Sequence, residues 1–133
     1  MPAAYSPVRA CSGDPEANRG HPRPPVPDLV PMRRGLLIAT DTYRDPTFGA
    51  LRAPRLDATE LDTVLRDPAI GDFTTEVLVN EPVQHVRERI EMVLGRAGHD
   101  DLVLLYLLGH GVKARLGDLH LVTTDTRHAV LAT

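Results

Sequence analysis

The sequence has little of the residues that mark several common protein classes. Cys11 is the only cysteine among 133 residues, which excludes an internal disulfide framework. Tryptophan is absent and aromatic residues make up 4% of the chain, so a hydrophobic core must be built mainly from aliphatic side chains. Lys113 is the only lysine, and the arginines are scattered along the chain without forming a cluster.

Strong positive charge and long apolar runs are also missing. The formal net charge of −3 provides no basic field that would attract nucleic acid or an anionic membrane surface. No run approaches the roughly 20 apolar residues that cross a bilayer. Residues 1–30 lack the apolar centre of a signal peptide. We therefore expect a cytoplasmic protein that binds neither nucleic acid nor membrane.

Residues 1–31 differ in composition from the rest of the chain. Prolines remove backbone hydrogen-bond donors and oppose helix formation, and the segment has no apolar periodicity. We predict a disordered proline-rich tail over 1–31 and one domain over 32–133. The prolines of the tail are Pro2, Pro7, Pro15, Pro22, Pro24, Pro25, Pro27 and Pro31.

The domain begins with a pattern of alternating strands and helices. The apolar run 35–40 predicts a strand buried on both faces. Helical spacing of Ala58, Leu61 and Leu65 predicts a helix that starts near Pro54 and ends before Pro68. The β-branched run 74–79 predicts a second strand.

The pattern continues with a second helix and a third strand. Asn80 is the predicted N-cap of a helix that runs from Val83 to Ala97 and stops at Gly98. The seven apolar residues 102–108 are typical of a central parallel strand, and 119–122 predicts a short further strand. Strands and helices in alternation indicate an α/β fold with right-handed crossovers onto one mainly parallel sheet.

His110 is the candidate catalytic residue. It follows the most hydrophobic strand and stands between Gly109 and Gly111, at the sheet edge where active sites of parallel sheets lie. A free histidine has a pKa of about 6.5, so its ring exchanges protons at neutral pH. The Gly111 N–H is a candidate oxyanion donor in the same cleft. A tight turn with a surface histidine explains this tripeptide equally well.

The segment that contains this histidine resembles the strand and histidine motif of caspases, metacaspases and their bacterial relatives. In this sequence the motif reads D-D-L-V-L-L-Y-L-L-G-H-G from Asp100. Other segments agree with the family in order and spacing, over roughly residues 33–126. They are Leu36-Leu37-Ile38 followed by Tyr43, then Leu51 to Ala58, Asp67 to Phe73, and Gly117 to Leu121.

The resemblance implies a caspase-like three-layer sandwich and a cysteine-type endopeptidase that acts on protein or peptide substrates without a cofactor or metal. It makes His110 the base and acid of a Cys/His dyad and gives the oxyanion amide to Gly111. Asp57 aligns with an acidic residue of the metacaspase specificity pocket, which implies cleavage after Arg or Lys. Arg52 lies near the caspase arginine that binds aspartate, but out of register. A carboxylate favoured by the helix macrodipole explains Asp57 equally well.

Two departures from the family pattern affect these expectations. Leu108 replaces a small residue before the Gly-His pair, and its bulk is expected at the floor of the cleft. The 23 residues after His110 contain no cysteine, and Cys11 lies in the proline-rich tail. We therefore expect a domain truncated before the strand with the catalytic cysteine. Such a chain is inactive and poorly soluble alone, and it needs a missing C-terminal half or a homodimer partner.

Four other interpretations compete with this one. The chain is a non-catalytic pseudoenzyme or interaction module of caspase-like fold, or the product of an interrupted gene. An α/β-hydrolase would also place His-Gly after a strand, but the sequence lacks a Gly-x-Ser-x-Gly elbow. A metal site would use His110, Asp118, His120 and His128, whose spacings match no closed metal site.

Overall fold

The computed structural model describes residues 30–114 and 117–131. Most of the predicted tail, residues 1–29, lies outside the described residues, as do residues 132–133, so the proposed domain boundary stays a prediction. The elements are β1 (Arg33–Ala39), α1 (Pro54–Arg66), β2 (Thr74–Val79), α2 (Val83–Gly95), β3 (Leu102–Leu108), β4 (Gly111–Lys113), β5 (Leu119–Leu121) and α3 (His128–Leu131). None of the helices in these residues is long and apolar enough to cross a bilayer.

Three parallel strands form the main sheet, in the order β2-β1-β3. Leu36 of the central strand lies opposite Glu76 on one side and Leu105 on the other. The connections through α1 and α2 follow the predicted strand–helix alternation. This mixed α/β architecture confirms the fold class expected from the apolar runs.

The two long helices pack on opposite faces of the sheet because alternate residues of β1 point to opposite sides. Leu36 and Ile38 pack with Val86 of α2, whereas Leu37 packs with Ala58 of α1. Both faces of β1 are thus covered, and Leu36 and Leu37 are fully buried. The central strand is the core of the domain, as its unbroken apolar run predicted.

β3 lies at the edge of this sheet, although its apolar sequence is typical of a central strand. Within residues 30–114 and 117–131 it pairs only with β1, so its outer edge is open. Leu102, Tyr106 and Leu107 are 54%, 40% and 38% exposed. These side chains are covered on one side only, because the described part of the chain provides no neighbour on the other.

The start of α2 corrects the prediction that Asn80 is its N-cap. Pro82 occupies the cap position, and the N–H of Val83 donates a 2.9 Å hydrogen bond to Oδ1 of Asp125. Asn80 has a φ of 55° and its side chain turns toward the loop after β1. A carboxylate 42 residues away along the chain therefore stabilises the helix start that local sequence assigned to Asn80.

Two shorter features also differ from the prediction. α2 ends at Gly95, two residues before the expected Ala97, with Arg96 at the C-cap. The predicted strand 119–122 forms as β5 but pairs antiparallel with β4, a strand that the sequence did not predict. The two strands form a hairpin separate from the main sheet, immediately after the histidine.

Candidate active site

The carboxyl ends of β1 and β3 lie next to each other at the point where successive strands switch from one side of β1 to the other. β1 connects through α1 to β2 on one side, and β2 connects back through α2 to β3 on the other. Open parallel sheets bind ligands in the crevice at such a switch point. His110, half-buried, stands at this crevice two residues after β3.

The β1–α1 loop (residues 40–53) contacts both the ring and the backbone N–H of His110, while the N–H of Val122 donates to the His110 carbonyl at 3.0 Å. The imidazole Nε2 lies 2.8 Å from the carbonyl oxygen of Gly49. The backbone N–H of His110 donates a 3.1 Å hydrogen bond to the hydroxyl of Tyr43, which in turn donates to the carbonyl of Thr40 at 2.7 Å. The rings of Tyr43 and His110 also pack together, with centroids 5.0 Å apart.

The carbonyl of Gly49 determines which ring nitrogen of His110 carries the proton. A carbonyl oxygen only accepts hydrogen bonds, so Nε2 must be the donor. The neutral ring then keeps its lone pair on Nδ1, which is free to accept a proton. The ring is thereby arranged as a base at one defined atom.

Tyr43 lies in the closely packed turn beneath the histidine. Burial raises the pKa of its phenol above the usual value, outweighing the opposite effect of the hydrogen bond from His110, so the hydroxyl stays protonated at neutral pH. Gly109 fits the same space because a Cβ at this position would lie 3.2 Å from the Tyr43 hydroxyl. A side chain at position 109 would crowd the Tyr43 hydroxyl, so glycine suits this position.

A polar cluster anchors the start of the β1–α1 loop. The Asn80 side chain hydrogen-bonds the carboxylate of Asp41, whose other oxygen lies 3.2 Å from Nε of Arg55. The Asn80 hydrogen bond is the main cause that lowers the pKa of Asp41, followed by Thr42, and Arg55 acts in the same direction. Asp41 is therefore ionised at neutral pH. Sequence reasoning missed this cluster because its members are up to 39 residues apart.

Gly111 begins β4, directly after the histidine. The hairpin hydrogen bonds that flank β4 join Val122 N to His110 O at 3.0 Å and Ala114 N to Asp118 O at 2.8 Å. In an antiparallel pair the bonded residues alternate, so Gly111 occupies a non-hydrogen-bonded position opposite Leu121. Its N–H points away from β5.

Arg52 and Asp57 lie at the same edge of the sheet as the histidine. Arg52 lies two residues before α1 and Asp57 lies in its first turn, and both are exposed. In the described residues the ring of His110 forms its hydrogen bond with the Gly49 carbonyl, so neither predicted specificity residue hydrogen-bonds the ring. The fold brings them to the same edge without joining them to the base.

An apolar groove of about 200 Å³ extends from His110 along the α2 face of β3. Leu108 borders it and packs against the cluster of Leu37, Ala39 and Ala58. The rest of the groove lining is largely aliphatic and includes Ile38, Val83, Val86, Ile90, Leu107 and Val122. The histidine thus stands at the polar end of a hydrophobic surface.

The residues considered for a metal site do not form one in the described part of the chain. Over 30–114 and 117–131, no group of three His, Cys, Asp or Glu side chains is placed to hold a metal ion. His128 contributes instead to an aromatic contact, with its ring centroid 5.8 Å from that of Phe48.

Comparisons with known proteins identify the family of this chain. A search of curated proteins found no match. A family model described as the caspase domain matches residues 32–131, which include the three-stranded sheet, His110 and the hairpin after it. By family, the domain is of the cysteine-peptidase type of hydrolase. The chain therefore belongs to the caspase-domain family.

Proposed function

We propose that this chain provides the histidine half of a Cys/His endopeptidase of the caspase-like type, with His110 as the general base and acid. The observation that carries the proposal is the 2.8 Å contact between Nε2 and the Gly49 carbonyl. This contact fixes the tautomer and leaves Nδ1 to exchange protons at the crevice.

In the proposed reaction, His110 accepts one proton from the thiol and later passes it to the leaving amine. Nδ1 takes the proton of a cysteine thiol, and the thiolate attacks the carbonyl carbon of the peptide bond. The protonated ring then gives that proton to the leaving amine as the C–N bond breaks, which leaves a thioester. Water attacks the thioester with Nδ1 again as base, and the thiol is restored.

The thiolate in this proposal comes from a segment that pairs with the outer edge of β3. A parallel strand added there ends at the same sheet edge as β3, so the residue after it lies next to His110. The exposed Leu102, Tyr106 and Leu107 and the free backbone groups of the edge suit an apolar strand. Either a C-terminal half or a second chain is the proposed source. Cys11 lies outside the described residues.

Gly111 is the proposed oxyanion donor. Its N–H points away from β5, because it occupies a non-hydrogen-bonded position of the hairpin. A donor one residue after the base is suitably placed for the oxygen of the tetrahedral intermediate.

We propose a basic residue before the cleaved bond, as the metacaspase-like segment 51–58 implies. Asp57 is exposed in the first turn of α1 and is free to pair with Arg or Lys of a peptide. The competing assignment uses Arg52 to bind aspartate. Peptides that differ only in this residue decide between them: Asp57→Asn should lower kcat/KM for the Arg peptide, whereas Arg52→Gln should lower it for the Asp peptide if the competing assignment holds.

The experiment for the base supplies the proposed partner strand to the chain. The chain is coexpressed with the polypeptide encoded after codon 133, and fluorogenic peptides with Arg or Asp are assayed. His110→Ala should abolish activity. His99→Ala is the matched control, because its ring is exposed in the α2–β3 turn and, among the described residues, bonds its neighbour Asp100. Activity that survives His110→Ala overturns the assignment.

A non-catalytic binding module is the second candidate, favoured by the open apolar edge of β3. This interpretation expects a complex with the added segment but no peptide cleavage. It also expects that segment to lack a cysteine at the end of its strand. Complex formation measured beside cleavage therefore separates the two functions.

A further inference from the structure

We propose that Asn80, at the carboxyl end of β2, is a positioning residue for His110 and acts through the β1–α1 loop. The inference rests on the proposed role of His110 as the base. Asn80 does not contact the histidine. It fixes the loop residues whose neighbours hold the imidazole and its backbone.

The first step is that one loop contacts both the ring and the backbone N–H of His110. The Gly49 carbonyl receives Nε2, and the Tyr43 hydroxyl receives the backbone N–H. These contacts join the histidine to residues 61 and 67 positions earlier in the chain. The orientation of the base therefore depends on where this loop lies.

The second step is that the Asn80 side chain uses both ends of its amide to hold the start of the loop. Its Oδ1 accepts hydrogen bonds from the N–H groups of Asp41 at 3.0 Å and Thr42 at 3.1 Å. Its Nδ2 donates to Oδ1 of Asp41 at 2.7 Å. A carboxylate or an aliphatic side chain at position 80 would not provide this combination of acceptor and donor.

The backbone of Asn80 supports the same role. Its φ of 55° lies in the left-handed region, which side chains other than those of Asn and Asp adopt with strain. Its N–H donates to the Ala39 carbonyl at 2.9 Å, so Asn80 is tied to the last residue of β1. This conformation turns the amide across the sheet edge toward Asp41.

The third step connects the anchored residue to the far side of the loop. The carbonyl of Asp41 accepts the N–H of Leu51 at 3.0 Å, and its Oδ2 lies 3.2 Å from Nε of Arg55. Leu51 is two residues beyond Gly49. A displacement of Asp41 is therefore transmitted to the carbonyl that selects the tautomer of His110.

The test replaces Asn80 by glycine, which accepts the left-handed backbone while removing the amide. Asp72→Gly is the matched control, because Asp72 also has a φ of 55° but precedes β2 at the opposite edge of the sheet. The readout is the ¹⁵N spectrum of the histidine rings in the full chain above pH 8, where neutral tautomers dominate. We expect both His110 tautomers in Asn80→Gly and only the Nε2–H tautomer in Asp72→Gly and in the unmodified chain.

Asn80→Asp tests the donor end of the amide. It retains an acceptor for the two loop N–H groups but places a second carboxylate against the ionised Asp41, so the Nε2–H population should not return to that of the unmodified chain. A His110 spectrum that is the same in Asn80→Gly as in Asp72→Gly overturns the proposal.

A second measurement needs no variant and decides the case in which Asn80→Gly does not fold. Native-state hydrogen exchange should show the N–H groups of Asp41, Thr42 and His110 opening together with equal protection. Protection of His110 that persists after the Asp41 and Thr42 amides have opened contradicts coupling through the loop.

Peptide assays distinguish this inference from the proposed function. In the complemented protein, Asn80→Gly should lower kcat by about 10- to 100-fold, because misplacing a reacting group costs rate, while KM changes by less than about 2-fold. If the complemented protein cleaves no peptide, the proposed function fails, and the tautomer experiment still reports whether Asn80 positions the ring.

Discussion

β1 and β3 are parallel neighbours of seven residues each, and both sequences are largely apolar, yet their environments differ. β1 has a strand on each side and a helix on each face, and its Leu36 and Leu37 are fully buried. β3 has a strand on one side, and Leu102, Tyr106 and Leu107 are partly exposed. An apolar run therefore predicts a strand, whereas the neighbouring strands and helices decide how far that strand is buried.

The largest expected effect is on the core strand. Leu37→Ala should lower the free energy of unfolding by about 3–5 kcal/mol, because it leaves a cavity among closely packed groups. Leu107→Ala, on the partly exposed strand, should cost about 1 kcal/mol, since less apolar surface is buried there. Urea denaturation measures both. Equal losses of unfolding free energy in the two variants would contradict the difference in burial between the two strands.

A smaller effect is expected where the hairpin after β3 is tied to α2. Asp125→Ala removes the carboxylate that accepts the Val83 N–H and should cost about 1 kcal/mol, as for loss of a helix cap. Asp118→Ala, in the exposed turn between β4 and β5, is the control and should leave the urea midpoint within error. If Asp125→Ala lowers the free energy of unfolding by no more than Asp118→Ala does, the cap contributes little.

Acidification should weaken the link between β1 and β2 at the carboxyl edge. The hydrogen bond from Asn80 lowers the pKa of Asp41, so its contribution is complete above the unfolded value of about 3.9 and is lost as pH falls through the folded value. Asp41→Asn should therefore flatten the fall in unfolding free energy below about pH 4. Glu60→Gln removes one exposed carboxylate from α1 and controls for net charge. An unchanged slope in Asp41→Asn would contradict this account.

The smallest effect on unfolding is expected at the outer edge of β3. Leu102→Lys should change the free energy of unfolding by less than about 0.5 kcal/mol, because the side chain is exposed. The lysine should nevertheless reduce self-association, since charges on edge strands oppose pairing with another chain. Light scattering against concentration measures this. The same change at buried Leu37 should unfold the domain, so the two strands should respond very differently to a lysine.

Much of the sheet could be predicted from the sequence because strand signals are local. The runs that became β1, β2 and β3 are rich in apolar or β-branched residues, and the helix between β1 and β2 begins at Pro54 as predicted. β4 was missed because Gly111-Val112-Lys113 is too short to produce a pattern. It forms only by pairing with β5.

The site was predictable in its position and not in its contacts. His110 follows the strongest strand signal, so the sequence placed it at the carboxyl edge. The Gly49 carbonyl that fixes its tautomer leaves no trace in the sequence, because every residue has a carbonyl. Asn80 was misassigned as a helix cap because local propensity cannot show that Asp41, 39 residues earlier, takes the same amide.

The central position of β1 has a consequence for synthesis on the ribosome. β1 is the first strand to emerge, but the strand on its second side is complete only at Leu108, 69 residues after Ala39. At a translation rate of about 5–20 residues per second, that interval lasts roughly 3–14 seconds. During that interval the apolar side chains of β1 must be shielded by chaperones or by the ribosomal exit tunnel, so expression yield should depend on chaperone supply.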